Sequence, residues 1–240
     1  MTARATLATA ITAITAITAP LAAQVGHDPA KSPYRDIRAG LYIVPGGGYF
    51  FGNGGEVGVA PHDGPIGSLQ FAFMADKTIS ILAGFHYGML ERVLIDPTVA
   101  KPEQVQGTVD HSTIWIDAAL HFNMTGGKHW HGFAPYGGIA TGISFTENVV
   151  EDPGSFSMGT KFTFSPLLGT RYFLGKSYLF AEARFQFWQI SYPSTYAQEP
   201  IGVPPSPEGP QAVIPTGVLK EWSVTPWVRA GLGLPWSWPF

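Results

Sequence analysis

Along most of this chain apolar and polar residues alternate with a period of two, which sends successive side chains to opposite faces of a β-strand. Over residues 78–88, Ile79, Ile81, Ala83, Phe85 and Tyr87 share one face, while Thr78, Ser80, Gly84 and His86 share the other. Over 112–123, Ile114, Ile116, Ala118, Leu120 and Phe122 oppose Thr113, Trp115, Asp117, His121 and Asn123. Further on, Phe162, Phe164, Leu168 and Tyr172 oppose Lys161, Thr163, Ser165 and Arg171, and Leu179, Ala181, Ala183, Phe185 and Phe187 oppose Glu182, Arg184 and Gln186. One face suits hydrocarbon and the other water. A soluble barrel with its apolar face turned inward has the same period, so alternation alone does not choose between the two.

The pattern predicts eight strands, over residues 36–51, 67–75, 78–95, 107–123, 133–149, 156–173, 177–192 and 220–240. Each is close to or above the roughly 9–11 residues that a tilted strand needs to cross a bilayer. The connections alternate in length. Asp76-Lys77 and Leu174-Gly175-Lys176 are tight and 125–131 is moderate, whereas 52–66, 96–106 and 193–219 are long, with 150–155 the one short connection on that side. Short turns at one end and long Gly- and Pro-rich loops at the other are what a bacterial outer-membrane barrel requires. An even strand count also brings the last strand beside the first, so the sheet closes without an open edge. The expectation is an all-β, eight-stranded antiparallel up-and-down transmembrane β-barrel over residues 36–240.

Composition narrows the choice. Charged residues are 13% of the chain, about half the usual share, while aromatics reach 13% and there are 29 glycines. So few charges cover a soluble surface poorly. No apolar run of about 18 residues follows the first two dozen positions, so spanning helices are not expected, and the closed barrel is the other structure that satisfies its backbone within lipid. A net charge of -3 with scattered Lys and Arg gives no field for nucleic acid, and the absence of cysteine removes disulfides and thiolate metal sites. The first residues read as a signal peptide, 1–23, with Arg4, an Ala/Ile/Thr-rich stretch to Ile17, and cleavage between Ala22 and Gln24. A polar lead-in, 24–35, follows, and without a lipobox cysteine no lipid anchor is expected.

At the far end Leu232, Leu234, Trp236, Trp238 and Phe240 form an alternating apolar face that stops on a terminal phenylalanine. This resembles the closing strand of small outer-membrane barrels of the OmpA, OmpX and OmpW type, where such a strand is the signal read by the barrel-assembly machinery. The resemblance implies residence in the outer membrane of a Gram-negative-type bacterium, with outer-membrane lipid and the assembly machinery as partners. Pro235 and Pro239 depart from the pattern, because each removes a ladder donor from the strand that must close the barrel. Tyr172, Phe173, Tyr178, Trp236 and Trp238 at one end and Phe145, Tyr192 and Trp222 at the other are expected to form interfacial girdles.

An eight-stranded lumen is just wide enough for side chains to fill, so inward charges must pair there. Parity places Arg38, Asp117, Arg171, Glu182, Arg184 and Arg229 inward, with Asp117 and Glu182 shared among the arginines, as a structural filling or as a gate on a narrow ion path. Other candidates carry less. Asp117, His121 and Ser80 are a conceivable relay, and His129-Trp130-His131 holds two imidazoles in a turn, but no cofactor or metal is assigned. Gly46-Gly47-Gly48 reads as a bend or bulge. The outer connection with Pro200, Pro204, Pro205, Pro207 and Pro210 reads as extended and mobile, a candidate surface for a ligand or another cell. The leading expectation is a non-enzymatic barrel with a structural or surface-interaction role, with or without weak conductance. A lipid-processing enzyme, a carrier of small hydrophobic molecules through a lateral opening, and a soluble periplasmic ligand-binding barrel remain the alternatives.

Overall fold

A computed structural model describes residues 32–204, 206 and 209–236. The segment expected to be a signal peptide, most of the expected lead-in, Pro205, Pro207, Trp238, Pro239 and Phe240 lie outside the described residues. The strands are β1 (Tyr34–Asp36), β2 (Gly40–Asn53), β3 (His62–Met74), β4 (Ile79–Ile95), β5 (Val105–Asn123), β6 (Lys128–Trp130), β7 (Phe133–Thr146), β8 (Thr160–Leu174), β9 (Ser177–Ser191) and β10 (Lys220–Pro235). Eight of them, β2, β3, β4, β5, β7, β8, β9 and β10, pair antiparallel with their neighbours in that order, and β10 returns to β2. The result is a closed eight-stranded antiparallel β-barrel. β1 and β6 form a small ribbon at the end that carries the short turns.

Polarity decides which way the alternation points. Ile81, Met89, Ile116, Phe162 and Val228 are among many large apolar side chains that stand exposed on the outside, Phe162 at 61%. Gln70, His86, His121, Arg171, Glu182, Arg184 and Arg229 are buried inside. The soluble alternative needs the reverse arrangement, with the apolar faces packed inward.

Several strand bounds differ from the sequence reading, each for a local reason. β2 starts at Gly40 because residues 34–36 instead pair with β6 across the barrel mouth. β3 begins at His62, five residues before the expected start, since Gly64 and Pro65 read as loop yet pair with Phe50 and Tyr49. β7 ends at Thr146 and β8 starts at Thr160, so the connection expected to be short spans residues 147–159. Phe156 and Met158, expected in β8, are instead buried in that loop.

The closing seam behaves differently from expectation. Pairs run from Trp227↔Phe50 to Gly231↔Gly46 and resume at Leu234↔Ile43 and Pro235↔Tyr42. The ladder skips two positions, those opposite Pro45 and Val44, at the proline that has no N–H to donate, whereas Pro235 closes the strand without disturbing it. The three glycines 46–48 are no bulge; they lie in continuous ladders with both β10 and β3, and the register shift falls between Phe50 and Asn53. At Gly48 an added Cβ would fall 1.9 Å from the Val228 carbonyl oxygen and 2.8 Å from Arg229 Cβ. Gly48→Ala is therefore expected to destabilise the refolded barrel by about 1–3 kcal/mol through overpacking, read as a lower unfolding midpoint in urea. An unchanged midpoint would show that the seam is not in this register.

Candidate functional site

The waist of the barrel holds the densest chemistry. Glu182 is at its centre, supplied by β9, whose even-numbered positions face inward. Its Oε1 accepts from Arg184 Nε at 2.6 Å and from Arg229 Nε at 2.8 Å, and its Oε2 accepts from the Tyr136 hydroxyl at 2.8 Å. Arg184 Nη1 also donates to Asp117 Oδ2, which His86 Nε2 approaches at 3.1 Å. Arg229 Nη2 donates to the Gln70 side-chain oxygen at 2.7 Å. Arg171 takes a different role: Nη1 donates to Asn123 Oδ1 at 2.8 Å and Nη2 lies 2.9 Å from His121 Nδ1, and its guanidinium stacks 4.4 Å from the Tyr136 ring. With Nδ1 accepting, His121 carries its proton on Nε2, which points to Glu182 Oε2 at 3.6 Å.

The structure thus brings Asp117, Arg171, Glu182, Arg184 and Arg229 together. Arg38 is exposed just before β2 and takes no part, because the strand starts after it and its parity has no lumen to face. Sequence reasoning set His86 and Asn123 on the polar face without assigning them to the cluster, and it missed Gln70 and Tyr136. It also missed what makes the cluster fit. Inward glycines lie across the ladder from the bulky groups: Gly84 and Gly142 flank Asp117, Gly48 faces Arg229, and Gly169 faces Glu182. A Cβ on Gly84 would lie 2.4 Å from Asp117 Oδ1 and 2.8 Å from His86 Nε2. Single glycines at inward parity on β2, β4, β7 and β8 were the available signal.

Above the waist the lumen turns apolar. Trp227 bridges the two halves, with Arg184 5.0 Å above its ring, His86 edge-on at 5.1 Å and Trp115 stacked at 5.8 Å. Phe50 joins Trp115 and Trp188 at 5.5 and 5.7 Å. The long connections fold over this chamber. Val59, Phe156, Met158, Tyr192, Tyr196 and Ile214 are buried with it, so the connection 193–219 packs on the chamber through Tyr196 and Ile214, while Pro204 and Pro210 between them are exposed. Arg92 Nη2 binds Asp152 at 2.6 Å with both side chains 3% exposed, and Lys101 N and Gln104 Nε2 donate to Gln211 at 2.8 and 2.6 Å. Burial, and the hydrogen bond that it donates to Glu221, push the Tyr192 hydroxyl above the usual phenol range. Hydrogen bonds from the Ser112 hydroxyl and amide hold the Glu147 carboxyl below its ordinary value.

At the opposite mouth the segment before β2 crosses from one wall to the other, because β6 joins β7, which stands opposite β2 in the ring. Ile37 is 1% exposed and packs into the lower apolar cluster with Tyr42, Met74 and Tyr178. Lys77 binds Asp36 at 3.0 Å and holds its carboxyl below the ordinary value. Tyr178 and Tyr192, expected in the girdles, are inward and buried, whereas Phe145, Tyr172, Trp222 and Trp236 are outward and exposed.

The remaining candidates do not assemble. Asp117 engages His86 and Arg184, His121 engages Arg171, and Ser80 Oγ has no partner among the described residues, so no Asp-His-Ser relay forms. His129 Nδ1 accepts from the Gly132 amide at 2.9 Å, and no group of three or more His, Asp or Glu that could hold a metal occurs among the described residues. On the outside, Gly47, Thr170, Ala181, Ala183 and Ala230 leave a shallow apolar hollow of about 680 Å³. The strands around it remain paired, so it is no opening in the wall.

No protein-family model and no curated protein matches the sequence. Among solved structures, the chain is similar to the outer membrane protein OprG from Pseudomonas aeruginosa, with a TM-score of 0.49, 16% identity, and coverage of 85% of this chain and 98% of that one. It is also similar to the outer membrane protein AlkL in lipid bilayers, with a TM-score of 0.42, 15% identity, and coverage of 90% and 99%.

Two outcomes are expected from this geometry. Glu182→Gln leaves the waist arginines with one carboxylate and costs about 3–5 kcal/mol, the range for breaking a buried pair, read as a lower urea midpoint. Arg92→Met leaves Asp152 buried without its cation and speeds proteolysis within 147–159, and pairing it with Asp152→Asn recovers much of the protection. A single variant as resistant as wild type would show that the pair does not hold the cap.

Proposed function

We propose that this chain is an integral outer-membrane β-barrel whose lumen is sealed, and whose folded outer cap is its working surface, in a structural or surface-contact role. The observation that carries this reading is the inside-out polarity of the barrel. An apolar belt outside and an ionic waist inside suit hydrocarbon as the surrounding solvent. The strands, 13 to 19 residues long, exceed what a bilayer crossing needs. On this reading the short turns and the β1–β6 ribbon lie in the periplasm, the cap faces outward, and Leu232, Leu234, Trp236, Trp238 and Phe240 serve assembly.

Three layers oppose conduction along the axis: the strap with Ile37, the paired waist and the aromatic chamber beneath the cap. Each is joined to the wall by hydrogen bonds or packing, so opening a path requires breaking several at once. This favours a filled structural interior over a gate. The cap instead offers a surface anchored through Tyr196 and Ile214, with residues 199–204 and 209–210 mostly exposed.

The test is the purified full-length barrel in planar bilayers and in fractionated cells. It is expected in the outer-membrane fraction, with a folded band that shifts on heating, and without stable conductance steps. Recovery as a soluble periplasmic protein would overturn the membrane reading, and steady channels from wild type would overturn the sealed lumen. Deleting 198–212 is expected to leave the barrel inserted while changing at least one adhesion or phage-sensitivity phenotype. An inserted deletion variant with every such phenotype intact would remove the surface role.

A further inference from the structure

Cations and carboxylates are divided between the two ends of the barrel. At the end with the short turns, Lys77 and Lys176 stand in the turns, Lys128 in β6 and Arg38 just before β2, all exposed. At the capped end Asp63, Glu91, Asp110 and Glu147 are exposed, with Glu91 directly across the ladder from Asp110. An anionic surface is therefore repelled at the capped end and attracted at the other.

The cations at the attracting end are not equivalent. Asp36 binds Lys77 at 3.0 Å and lies across the ladder from Lys128, while Arg35 donates to the Ser32 and Tyr34 carbonyl oxygens. Arg38 and Lys176 have no carboxylate partner among the described residues. Arg38 borders an open hollow of about 380 Å³ with Tyr42, His129, Phe173 and Gly175, and Lys176 follows Gly175 in the turn. His129 Nδ1 accepts from the Gly132 amide, so the ring carries its proton on Nε2, and it stacks on Phe173 at 5.3 Å. The carboxylate at the edge of the hollow is Asp36, already bound to Lys77. The hollow thus combines an unpaired guanidinium with neutral N–H and O–H donors, which is the chemistry that holds a phosphate.

The same rim adjoins the apolar belt. Leu41 and Leu174, the chain neighbours of Tyr42 and Gly175, face outward and are 50% and 51% exposed. A free phosphate matches the cations alone. A phosphate carried on hydrocarbon chains matches both the cations and the belt.

We propose that this rim binds the phosphate headgroup of an anionic phospholipid from the leaflet beside the short turns, with Arg38 and Lys176 as its cations. The proposal rests on the membrane reading given above. It assigns the barrel a lipid preference confined to one rim.

The test uses the full-length barrel reconstituted in phosphatidylcholine vesicles that carry a trace of spin-labelled phosphatidylglycerol or spin-labelled phosphatidylcholine, and reads the fraction of each label that the protein immobilises. Each cation at a membrane surface attracts anionic lipid, and salt screens the attraction. Phosphatidylglycerol is expected to be enriched several-fold over phosphatidylcholine at low salt, and less at high salt. Replacing both cations, Arg38→Gln with Lys176→Gln, is expected to remove most of the excess, whereas Lys101→Gln with Lys220→Gln at the capped end keeps it. Equal immobilisation of the two lipids by wild type, or an excess that survives the first pair of substitutions, would overturn the site. Loss of the excess on adding soluble glycerol phosphate, but not chloride at the same ionic strength, would show that a free phosphate is the ligand and overturn the lipid assignment. A barrel that immobilises neither lipid would overturn the membrane reading, and this proposal with it.

Discussion

Glu182 receives two guanidinium groups and a phenol inside a barrel too narrow to admit much else, and that convergence organises the molecule. Eight strands enclose a lumen that side chains alone can fill, so each inward residue competes for space with those across the ladder. The charged groups win that space because glycines opposite them give it up. Asp117 stands between Gly84 and Gly142, and Glu182 stands opposite Gly169. The same constraint makes the interior unforgiving, since a buried ion without its partner has no water to turn to.

From the waist outward the architecture follows in both directions. Trp227 carries Arg184 on one side and joins the aromatic chamber on the other, which in turn gives the cap a floor to pack upon. The cap then needs no strand structure of its own. A buried ion pair, Arg92 with Asp152, and the Gln211 contacts tie its connections together. At the other mouth the backbone does the sealing, with β1 paired to β6 and Ile37 driven into the lower cluster.

Much of this was legible in the alternation. Period-two patterning located all eight barrel strands, and parity set Asp117, Glu182, Arg184, Arg171 and Arg229 on one face. Where the reading went astray, a local rule was outweighed by a long-range contact. Arg38 lies just outside a strand whose start depends on the distant β6 hairpin. Gly64 and Pro65 look like loop but are held by the neighbouring ladder with β2. Tyr178 and Tyr192 were assigned by residue type to girdles although position sends them inward. The Pro-rich connection carries Tyr196, Ala212 and Ile214, whose burial no local pattern announces. The glycine notches were visible as glycines, but their purpose depends on which residue stands across the ladder.

The central claim is that the barrel is apolar outside and filled inside. The chain has no cysteine, so single cysteines placed in turn at positions 114 to 121 of β5 can carry nitroxide labels in the reconstituted protein. Oxygen, which concentrates in lipid, is expected to relax labels at 114, 116, 118 and 120, while a water-soluble nickel complex reaches neither those nor the inward positions 115, 117, 119 and 121. Strong relaxation of the inward labels by the nickel complex would reveal an open aqueous lumen and contradict the account.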